Sequence, residues 1–596
     1  MKLLFLYIRK FGRLENVQFN FDGNWLFTYD YENGRQMRVQ YCEKIPSRFF
    51  SKGGVVESVS ALIGENGSGK TSVARLLCQA WKSKPADFRN PGYLAVAMVR
   101  GRIRQFGYHA ANWSKDDLGM LPNDVRQLID EKARQKDVLF SKERPIVYYS
   151  PFYTTERGLR DEHNEIFYDI STSGLLFKDT RPILLGSREM TKEVRVEDVF
   201  RSAERMRVLV FLSAVWKWIG KKKERRNAFP MVLPGKIELS VGEKWAGEYR
   251  ADFMHPFMPI EDLEADGDEG LLRSVNHALK KYGVFGKAFV HSVVWCVSKL
   301  GGTERAAWTI VDALVKTERS WLSTEGYRMS IDYDSLEQAW VDVLDDLPRA
   351  RDGLKRIRSS TIAFLLSFLK CWRRRSRPAG LPDALSALLN DGLSASFSQM
   401  MTNYQALVVQ GMPDFFVARY DPVMSSGEMA FLSLFGRLYE CCTKMLPDSE
   451  PTIFLDEVET TLHPAWQRKL VVLLVWFFET LFPEMRCHLL FASHSPMLLS
   501  DIPHGNVTIM RDCEPKHCPA KTFGASVFDL YRMAFNLEDG VFGALARKHL
   551  DDLLDKSGHG RLEDRDRLIA RLFGNELIRR HFMGCRHEAD SASRGE

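Results

Sequence analysis

Residues 61–77 read ALIGENGSGKTSVARLL, and this stretch decides the fold. An apolar run ends at Gly64, and the residues from Gly64 to Thr71 fit the pattern G-x-x-x-x-G-K-[ST]. The preceding VVESVSALI, residues 55–63, predicts a strand. Behind the glycines, apolar residues recur at helical spacing at Val73, Leu76, Leu77 and Ala80. A strand, a glycine-rich turn and a helix in this order are the context that a phosphate-binding loop requires.

This loop predicts a nucleoside triphosphate site. Its glycines let backbone N–H groups turn inward around an anion, and the positive end of the following helix adds to the attraction. In such a loop Lys70 would reach the β- and γ-phosphates, and the Thr71 hydroxyl would bind Mg²⁺. We therefore expect ATP to be bound by Gly64, Glu65, Asn66, Gly67, Ser68, Gly69, Lys70 and Thr71.

A second candidate element is the stretch PTIFLDEVETTLHP, residues 451–464. Its apolar residues predict a buried strand that ends in Asp456 and Glu457, and such a strand end faces the crevice where α/β sheets bind ligands. We expect Asp456 to bind Mg²⁺, directly or through water, and Glu457 to orient or deprotonate an attacking water. Two solvated acids are the alternative, which the phosphate loop elsewhere in the chain disfavours.

Two further stretches carry polar residues at the start of helices or the end of strands. In LLFASHSPMLL, residues 489–499, His494 follows a predicted strand. A single histidine is most often structural, but we expect this one to lie beside the γ-phosphate. In VMSSGEMAFLSLFGRL, residues 423–438, Ser425, Ser426 and Gly427 precede an amphipathic helix. Free N–H groups and hydroxyls at a helix N-terminus form an anion site, so this is a second predicted phosphate-binding surface.

The four motifs together resemble those of ABC-type ATPases, in particular the SMC/RecF-like branch. Residues 424–428, MSSGE, are similar to that family's LSGGQ signature, and His494 is similar to its switch histidine. In the family, the signature of one subunit closes on ATP held by the phosphate loop of another. The resemblance therefore implies a homodimer or higher oligomer formed through ATP. The family's Q-loop glutamine is missing, and the stretch YYSP, residues 148–151, offers only Ser150 in its place.

A narrower resemblance is carried by the opening residues 1–30, by SSGE, DEVETTLHP and FASHSP, and by TFGASVFDLYRMAFNLEDGVFGALA, residues 522–546. These segments look like the bacterial anti-phage defence ATPases of Septu and retron-associated systems, and the likeness covers about half of the chain. It implies that the ATPase works beside a separate nuclease effector of the HNH type.

We therefore predict an α/β fold, in which an ABC-type P-loop ATPase head is split by a large helical insertion and followed by a helical C-terminal region. The predicted boundaries are 1–190 and 406–512 for the two parts of the head, 191–405 for the insertion and 513–596 for the C-terminal region. Prolines and glycines interrupt the insertion, so a compact lobe is expected instead of a long coiled-coil arm.

Composition narrows the class of protein. The chain has 596 residues, a net charge of +6 and ten cysteines without the spacing of a disulfide framework, which predicts a cytoplasmic protein. Its longest apolar run, residues 470–478, is far shorter than the roughly 20 residues of a membrane span. A membrane partner is therefore not expected.

Some polar clusters keep two interpretations. Cys513, His517 and Cys518, with the later Cys585 and His587, are faintly similar to metal ligands, but ordinary loop residues are the favoured interpretation. The basic clusters KKKERR, residues 221–226, and RRRSR, residues 373–377, fit either solvated helix ends or phosphate contacts, so DNA or RNA is a possible partner.

Three functions fit the whole pattern. The first is an ATPase that controls a nuclease effector in defence, the second is a RecF/SMC-like ATPase that binds DNA in repair or maintenance, and the third is an ATP-bound scaffold with little turnover. Nuclease activity in this chain is not expected: EDRDR, residues 563–567, fits a solvated helix face better than a catalytic acid set, and no His-Asn-His pattern occurs.

Overall fold

The structure is a computed structural model that describes residues 1–65, 67–80, 92–107, 111–130, 138–152, 165–184, 195–220, 225, 232–241, 283–299, 352–373, 384–388, 395–534 and 543–584. Asn66 of the predicted phosphate loop lies outside these residues, as do Cys585, His587 and most of the two basic clusters.

The described strands fall into four sheets. In chain order they are β1 Lys2–Phe11, β2 Leu14–Asn20, β3 Trp25–Asp30, β4 Gln36–Tyr41, β5 Val56–Gly64, β6 Tyr93–Val99, β7 Arg102–Gly107, β8 Asn112–Trp113, β9 Ile146–Tyr149, β10 Phe167–Asp169, β11 Lys236–Val241, β12 Ala384–Leu388, β13 Phe416–Asp421, β14 Thr452–Asp456, β15 Cys487–Ser493, β16 Val507–Arg511 and β17 Glu514–His517.

The described helices cover the sheets and form the C-terminal region. They are α1 Lys70–Gln79, α2 Lys115–Met120, α3 Asn123–Arg126, α4 Thr172–Leu184, α5 Val196–Ile219, α6 Gly283–Lys299, α7 Asp352–Arg373, α8 Ala395–Val409, α9 Ser426–Cys442, α10 Pro464–Gln467, α11 Leu470–Leu481, α12 Pro496–Leu499, α13 Val527–Ala534, α14 Ala544–Gly558, α15 Asp564–Leu572 and α16 Glu576–Gly584.

One sheet of seven strands organises the predicted head. Its order is β10-β9-β14-β15-β5-β16-β17, and every neighbouring pair is parallel except β16 and β17. The register pairs Asp456 with Ala492 and Ser493 with Ile63. Because parallel strands end at the same edge of a sheet, the residues that follow β5, β14 and β15 meet there. The predicted α/β class is confirmed, and the structure shows that its central sheet is mainly parallel.

Helices cover both faces of this sheet. On one face α1 packs against β5, β9 and β14. On the other face α5, α9 and α11 bring together three aromatic rings, with centroids 5.6 Å apart for Phe211 and Phe435 and 5.2 Å apart for Phe435 and Phe477. All five residues of β14 are buried, as expected for a parallel strand without a solvent face.

Two more sheets are formed by strands of the N-terminal part of the chain, and all of their pairs are antiparallel except the short parallel pair of β4 and β8. The first has the order β2-β1-β6-β7 and the second β3-β4-β8, and aromatic and aliphatic side chains fill the space between them. The β1–β2 hairpin reaches the phosphate loop, because a Cβ added to Gly69 would lie only 3.0 Å from Cδ2 of Leu14.

Within the described residues between 191 and 405 lie helices α5 to α7 and the start of α8, together with two strands, β11 and β12, that were not predicted from the sequence. β11 and β12 form a three-stranded antiparallel sheet with β13. Along β11 the side chains of Ile237, Leu239 and Val241 alternate into the interior, which is the period of a half-buried strand. Trp295 and Phe364 of this region belong to the same apolar core as Phe435 of the head.

The C-terminal helices form a small cluster of their own. α14, α15 and α16 enclose four buried residues, Leu553, Ala570, Phe573 and Phe582. Glu563 caps α15 and Lys556 pairs with Asp566 at 2.7 Å, so several charges of the EDRDR stretch stabilise the helix start. Among the described helices none has both the length and the apolar character needed to cross a membrane.

Candidate functional site

The predicted phosphate loop follows β5 at the edge where the parallel strands end. Gly67 and Gly69 have φ angles of 80° and 100°, a conformation that favours glycine. A Cβ on Gly64 would lie 2.3 Å from the carbonyl oxygen of Met510, so only glycine fits between β5 and β16. These three glycines give the loop its tight path from the strand into α1.

Lys70 is the first residue of α1, and its side chain folds back over the loop. Its Nζ donates hydrogen bonds to the carbonyl oxygens of Gly64 at 2.7 Å and Glu65 at 2.9 Å. Burial lowers the pKa of Lys70, and the nearby acids Glu457 and Asp456 act in the opposite direction. The Ser68 hydroxyl is buried and has no hydrogen-bond partner within the described residues. The Ser68 hydroxyl and the third proton of the Lys70 ammonium can therefore be donated to an incoming anion. The exposed Thr71 occupies the next position of the helix.

Asp456 ends β14, close to α1, and is only 5 % exposed. Its Oδ2 accepts a hydrogen bond of 2.9 Å from the hydroxyl of Tyr148 on β9, whereas its Oδ1 is buried without a partner in the described part of the chain. Burial raises the pKa of Asp456 to about 6, although Tyr148 and Lys70 act in the opposite direction. A buried carboxylate oxygen that lacks a donor is suited to a cation.

The described residues contain no group of three or more histidine, cysteine, aspartate or glutamate side chains arranged around a metal position. Cys513, His517 and Cys518, for which metal ligation was the less favoured interpretation, are among the described residues and form no such group. Mg²⁺ in nucleotide sites is commonly held by one or two protein ligands together with phosphate oxygens and water. Asp456 and Thr71 fit this coordination, which does not need a metal site built from protein ligands alone.

Glu457 and His494 lie side by side at the same edge. Glu457 adopts a left-handed conformation, with φ 49° and ψ 37°, and its N–H donates to the carbonyl of Ala492 at 2.8 Å. This conformation, unfavourable by about 1 kcal/mol for a residue other than glycine, turns the side chain into the crevice. Its Oε1 lies 3.3 Å from Nε2 of His494, at ion-pair distance but without the alignment of a hydrogen bond. Burial and the Lys70 cation lower the pKa of His494, which favours its neutral form.

A third acid, Glu459, holds the turn that carries His494. Its Oε1 accepts hydrogen bonds from the Ser493 hydroxyl at 2.6 Å and from the His494 N–H at 2.8 Å. Its Oε2 is buried, with no partner among the described residues, and burial raises its pKa. Gln467 strengthens the connection, because it donates to the carbonyl of Glu459 at 3.1 Å and accepts from the Ser495 hydroxyl at 2.7 Å.

Glu459 and Gln467 were not predicted as site residues from the sequence. The signal for Glu459 was the third acid in DEVE, which by itself does not distinguish a buried carboxylate from a solvated one.

The predicted signature, residues 425–427, lies at the N-terminus of α9. Ser425 is the N-cap, and both its N–H and its hydroxyl donate to Oε2 of Glu428 at 2.8 Å. Ser425 and Ser426 are exposed, whereas Phe431, Leu432, Leu434 and Phe435 anchor the helix in the core. The prediction that these serines open an amphipathic helix is confirmed. Both Ser425 donors go to Glu428 in this structure, not to the phosphate loop of the same chain.

Ser150, the candidate for the missing glutamine, is buried at the end of β9. Its Oγ accepts the Phe152 N–H at 3.4 Å and its carbonyl accepts the Thr172 N–H at 3.0 Å, so both groups serve the turn that follows the strand. Tyr148, two residues earlier, is the residue of this strand that contacts the site. Its role could not be predicted from the sequence, because a tyrosine in a short apolar strand is typical of a core position.

A buried ionic network fixes α9 against its neighbours. Arg207 of α5 pairs with Asp179 at 2.6 Å, Glu204 at 2.6 Å and Glu440 at 2.7 Å. Glu204 also accepts from Arg437 of α9 at 2.9 Å. Burial acts to raise the pKa of Glu440, but Arg207 and Lys444 bring it down to about 2. The network therefore holds the helix that presents Ser425 in one position.

Comparison with known families agrees with this arrangement. Residues 418–500 match the model of the family described as “AAA domain, putative AbiEii toxin, Type IV TA system”. The matched segment includes the signature residues, Asp456, Glu457 and His494. No curated protein matches the chain. The match, which does not include the phosphate loop, and the parallel sheet both support a P-loop ATPase domain.

Proposed function

We propose that the chain binds ATP with Mg²⁺, hydrolyses it between two copies of itself, and uses this cycle to control a separate effector. The observation that carries the proposal is the meeting of Lys70, Asp456, Glu457 and His494 at one edge of the sheet. The charges interact: burial lowers the pKa of Lys70, and the carboxylates of Glu457 and Asp456 act against this lowering.

Each of these side chains has a role that follows from its position. Lys70 and the loop N–H groups bind the β- and γ-phosphates, and the Ser68 hydroxyl supplies a further donor. Asp456 and Thr71 hold Mg²⁺, which when bound neutralises charge on the phosphates. Glu457 orients the attacking water and accepts its proton. A neutral His494 donates or accepts one hydrogen bond beside the γ-phosphate, and Glu459 keeps its turn in place.

The dimer is proposed from the exposed signature residues. Ser425 and Ser426 sit at a helix N-terminus, where backbone N–H groups and hydroxyls attract an anion. Each chain carries one phosphate loop and one signature, so two copies arranged head to head complete two ATP sites. Within one chain the signature lies beside the turn that follows Glu459, because a Cβ on Gly427 would be in ordinary contact, 3.9 Å, with the backbone nitrogen of His463.

The effector is proposed from the resemblance to Septu and retron-associated ATPases, whose partner is an HNH-type nuclease. The description of the matched family, “putative AbiEii toxin, Type IV TA system”, likewise names a system of two components. The RecF/SMC-like alternative would show as ATP turnover stimulated by DNA with a steep dependence on salt. The scaffold alternative would show as equal turnover in the wild type and in Glu457→Gln.

Two variants test the nucleotide site and the dimer separately. Lys70→Ala should abolish binding of a fluorescent ATP analogue, whereas Lys52→Ala, at an exposed lysine, should bind it like the wild type. Glu457→Gln should bind ATP without turnover and double its mass in light scattering at saturating ATP. Ser425→Arg in the Glu457→Gln background should return the mass to that of one chain.

Wild-type ATP affinity in Lys70→Ala would contradict the nucleotide site. A Glu457→Gln chain that binds ATP and stays monomeric would contradict the dimer alone. Mass spectrometry of proteins that co-purify with the Glu457→Gln chain then tests the effector, and a set without any nuclease would contradict that part.

A further inference from the structure

Tyr148 reaches the candidate site from the neighbouring strand. Its Cα pairs with that of Phe454 in the sheet, and its hydroxyl lies 2.9 Å from Oδ2 of Asp456, two residues further along β14. Two strand residues span roughly 6.6 Å, a distance that a tyrosine side chain can bridge and a short polar side chain cannot. The residue is 6 % exposed, and its ring centroid lies 6.2 Å from that of Phe454. The hydroxyl is thus held by a packed ring.

The hydrogen bond distinguishes the two oxygens of Asp456. Oδ2 accepts from the tyrosine, and Oδ1 is buried with no donor within the residues that the structure describes. A carboxylate turns readily about its last bond, because this torsion has a broad, roughly two-fold preference. A donor fixed to one oxygen removes that freedom and determines which oxygen is offered to another ligand.

We infer that Tyr148 is a positioning residue that holds Asp456 so that Oδ1 is the oxygen presented to the Mg²⁺ that accompanies ATP. The inference rests on the proposed function, since it needs Mg²⁺-dependent nucleotide binding at this edge of the sheet. The neutral phenol suits this role because it donates one hydrogen bond, adds no charge beside Lys70, and leaves the carboxylate anionic for the cation. Outer partners of this kind orient metal ligands in many proteins.

The test is Tyr148→Phe, which removes one oxygen atom and keeps the ring. Binding of a fluorescent ATP analogue is titrated with Mg²⁺ and also measured in EDTA. The Mg²⁺ concentration at half-saturation should rise about 10- to 100-fold, as expected when a hydrogen-bonding partner of a metal ligand is lost. Affinity in EDTA should not change. ATP turnover should fall at low Mg²⁺ and recover in excess Mg²⁺.

The matched control is Tyr149→Phe. Tyr149 is the next residue of the same strand and equally buried, but it belongs to the core on the opposite face, and the Arg437 guanidinium lies 5.7 Å from its ring centroid. Its Mg²⁺ titration should coincide with that of the wild type. Circular dichroism melts of both variants show whether they fold alike.

A Mg²⁺ titration of Tyr148→Phe that coincides with the wild type would overturn the inference. A second measurement combines Tyr148→Phe with Asp456→Asn. If Tyr148 acts through Asp456, the Mg²⁺ titration of this double variant should match that of Asp456→Asn alone. Additive effects of the two changes would also overturn the inference. Nucleotide binding by the wild type that does not depend on Mg²⁺ would instead contradict the proposed function.

Discussion

Replacing Asp456 by asparagine tests how strongly burial at the edge of the sheet disfavours the negative charge of the Asp456 carboxylate. The carboxylate is 5 % exposed, one of its oxygens has no partner in the described residues, and Glu457 and Glu459 add like charge. Burial is the main reason why its pKa rises from the ordinary value of 3.8 to about 6. Asparagine keeps the shape and an acceptor for Tyr148 but cannot titrate. The variant therefore isolates the charge.

The sign follows from proton uptake. An acid whose pKa is higher in the folded than in the unfolded chain binds more protons when folded, so its contribution to stability grows as pH falls between these two values. With pKa values of about 6 and 3.8, lowering the pH from about 7.5 to about 5 should stabilise the wild type by about 1.4 kcal/mol relative to Asp456→Asn.

The assay is urea unfolding followed by tryptophan fluorescence, in EDTA and without nucleotide, on both proteins at both pH values. The other titrating groups are common to the two proteins and cancel in the comparison. The quantity of interest is how the difference in their free energies of unfolding changes between the two pH values. If the difference in unfolding free energy between the two proteins is the same at both pH values, Asp456 stays ionised throughout this range. That result would refute the claim that burial disfavours the charge of Asp456 and raises its pKa. With Mg²⁺ and ATP present the trend should reverse, since a metal ligand binds in its deprotonated form.

Two further predictions concern the surroundings of the site. Glu459→Gln should lower the maximal rate of ATP turnover about tenfold and leave ATP affinity unchanged, because the turn of His494 loses a charge-assisted hydrogen-bond acceptor. Steady-state kinetics compare this variant with Glu514→Gln, a change at an exposed glutamate. Equal rates in the two variants would contradict the role of Glu459. Arg207→Met should cost about 3–5 kcal/mol of stability at neutral pH, because three carboxylates lose their shared partner. The low pKa of Glu440 means that this deficit should shrink as pH falls below about 4.5 toward about 2. Urea unfolding measures the deficit, with the exposed Arg201→Met expected within about 0.5 kcal/mol of the wild type; an equal effect of the two changes would contradict the network.

The amino-acid sequence by itself determined the local elements of the site. The glycine pattern with Lys70, the strand that ends at Asp456, and the serine cap of α9 each depend on neighbours within a few residues. Backbone conformation, helix capping and apolar periodicity act over that range, so these elements could be predicted from their own stretches of chain. The helical patterns of α5 and α7 could be predicted for the same reason.

The tertiary structure alone decided which of these elements meet. Tyr148 and Asp456 are 308 residues apart in the chain, and Ser60 of β5 faces His488 of β15 across 428 residues. The order of strands in a parallel sheet depends on which apolar faces pack together after the chain has folded, and no local pattern records that choice. For this reason the role of Tyr148, the turn held by Glu459, and the pairing of β11 with β13 could be recognised only when distant segments lay side by side.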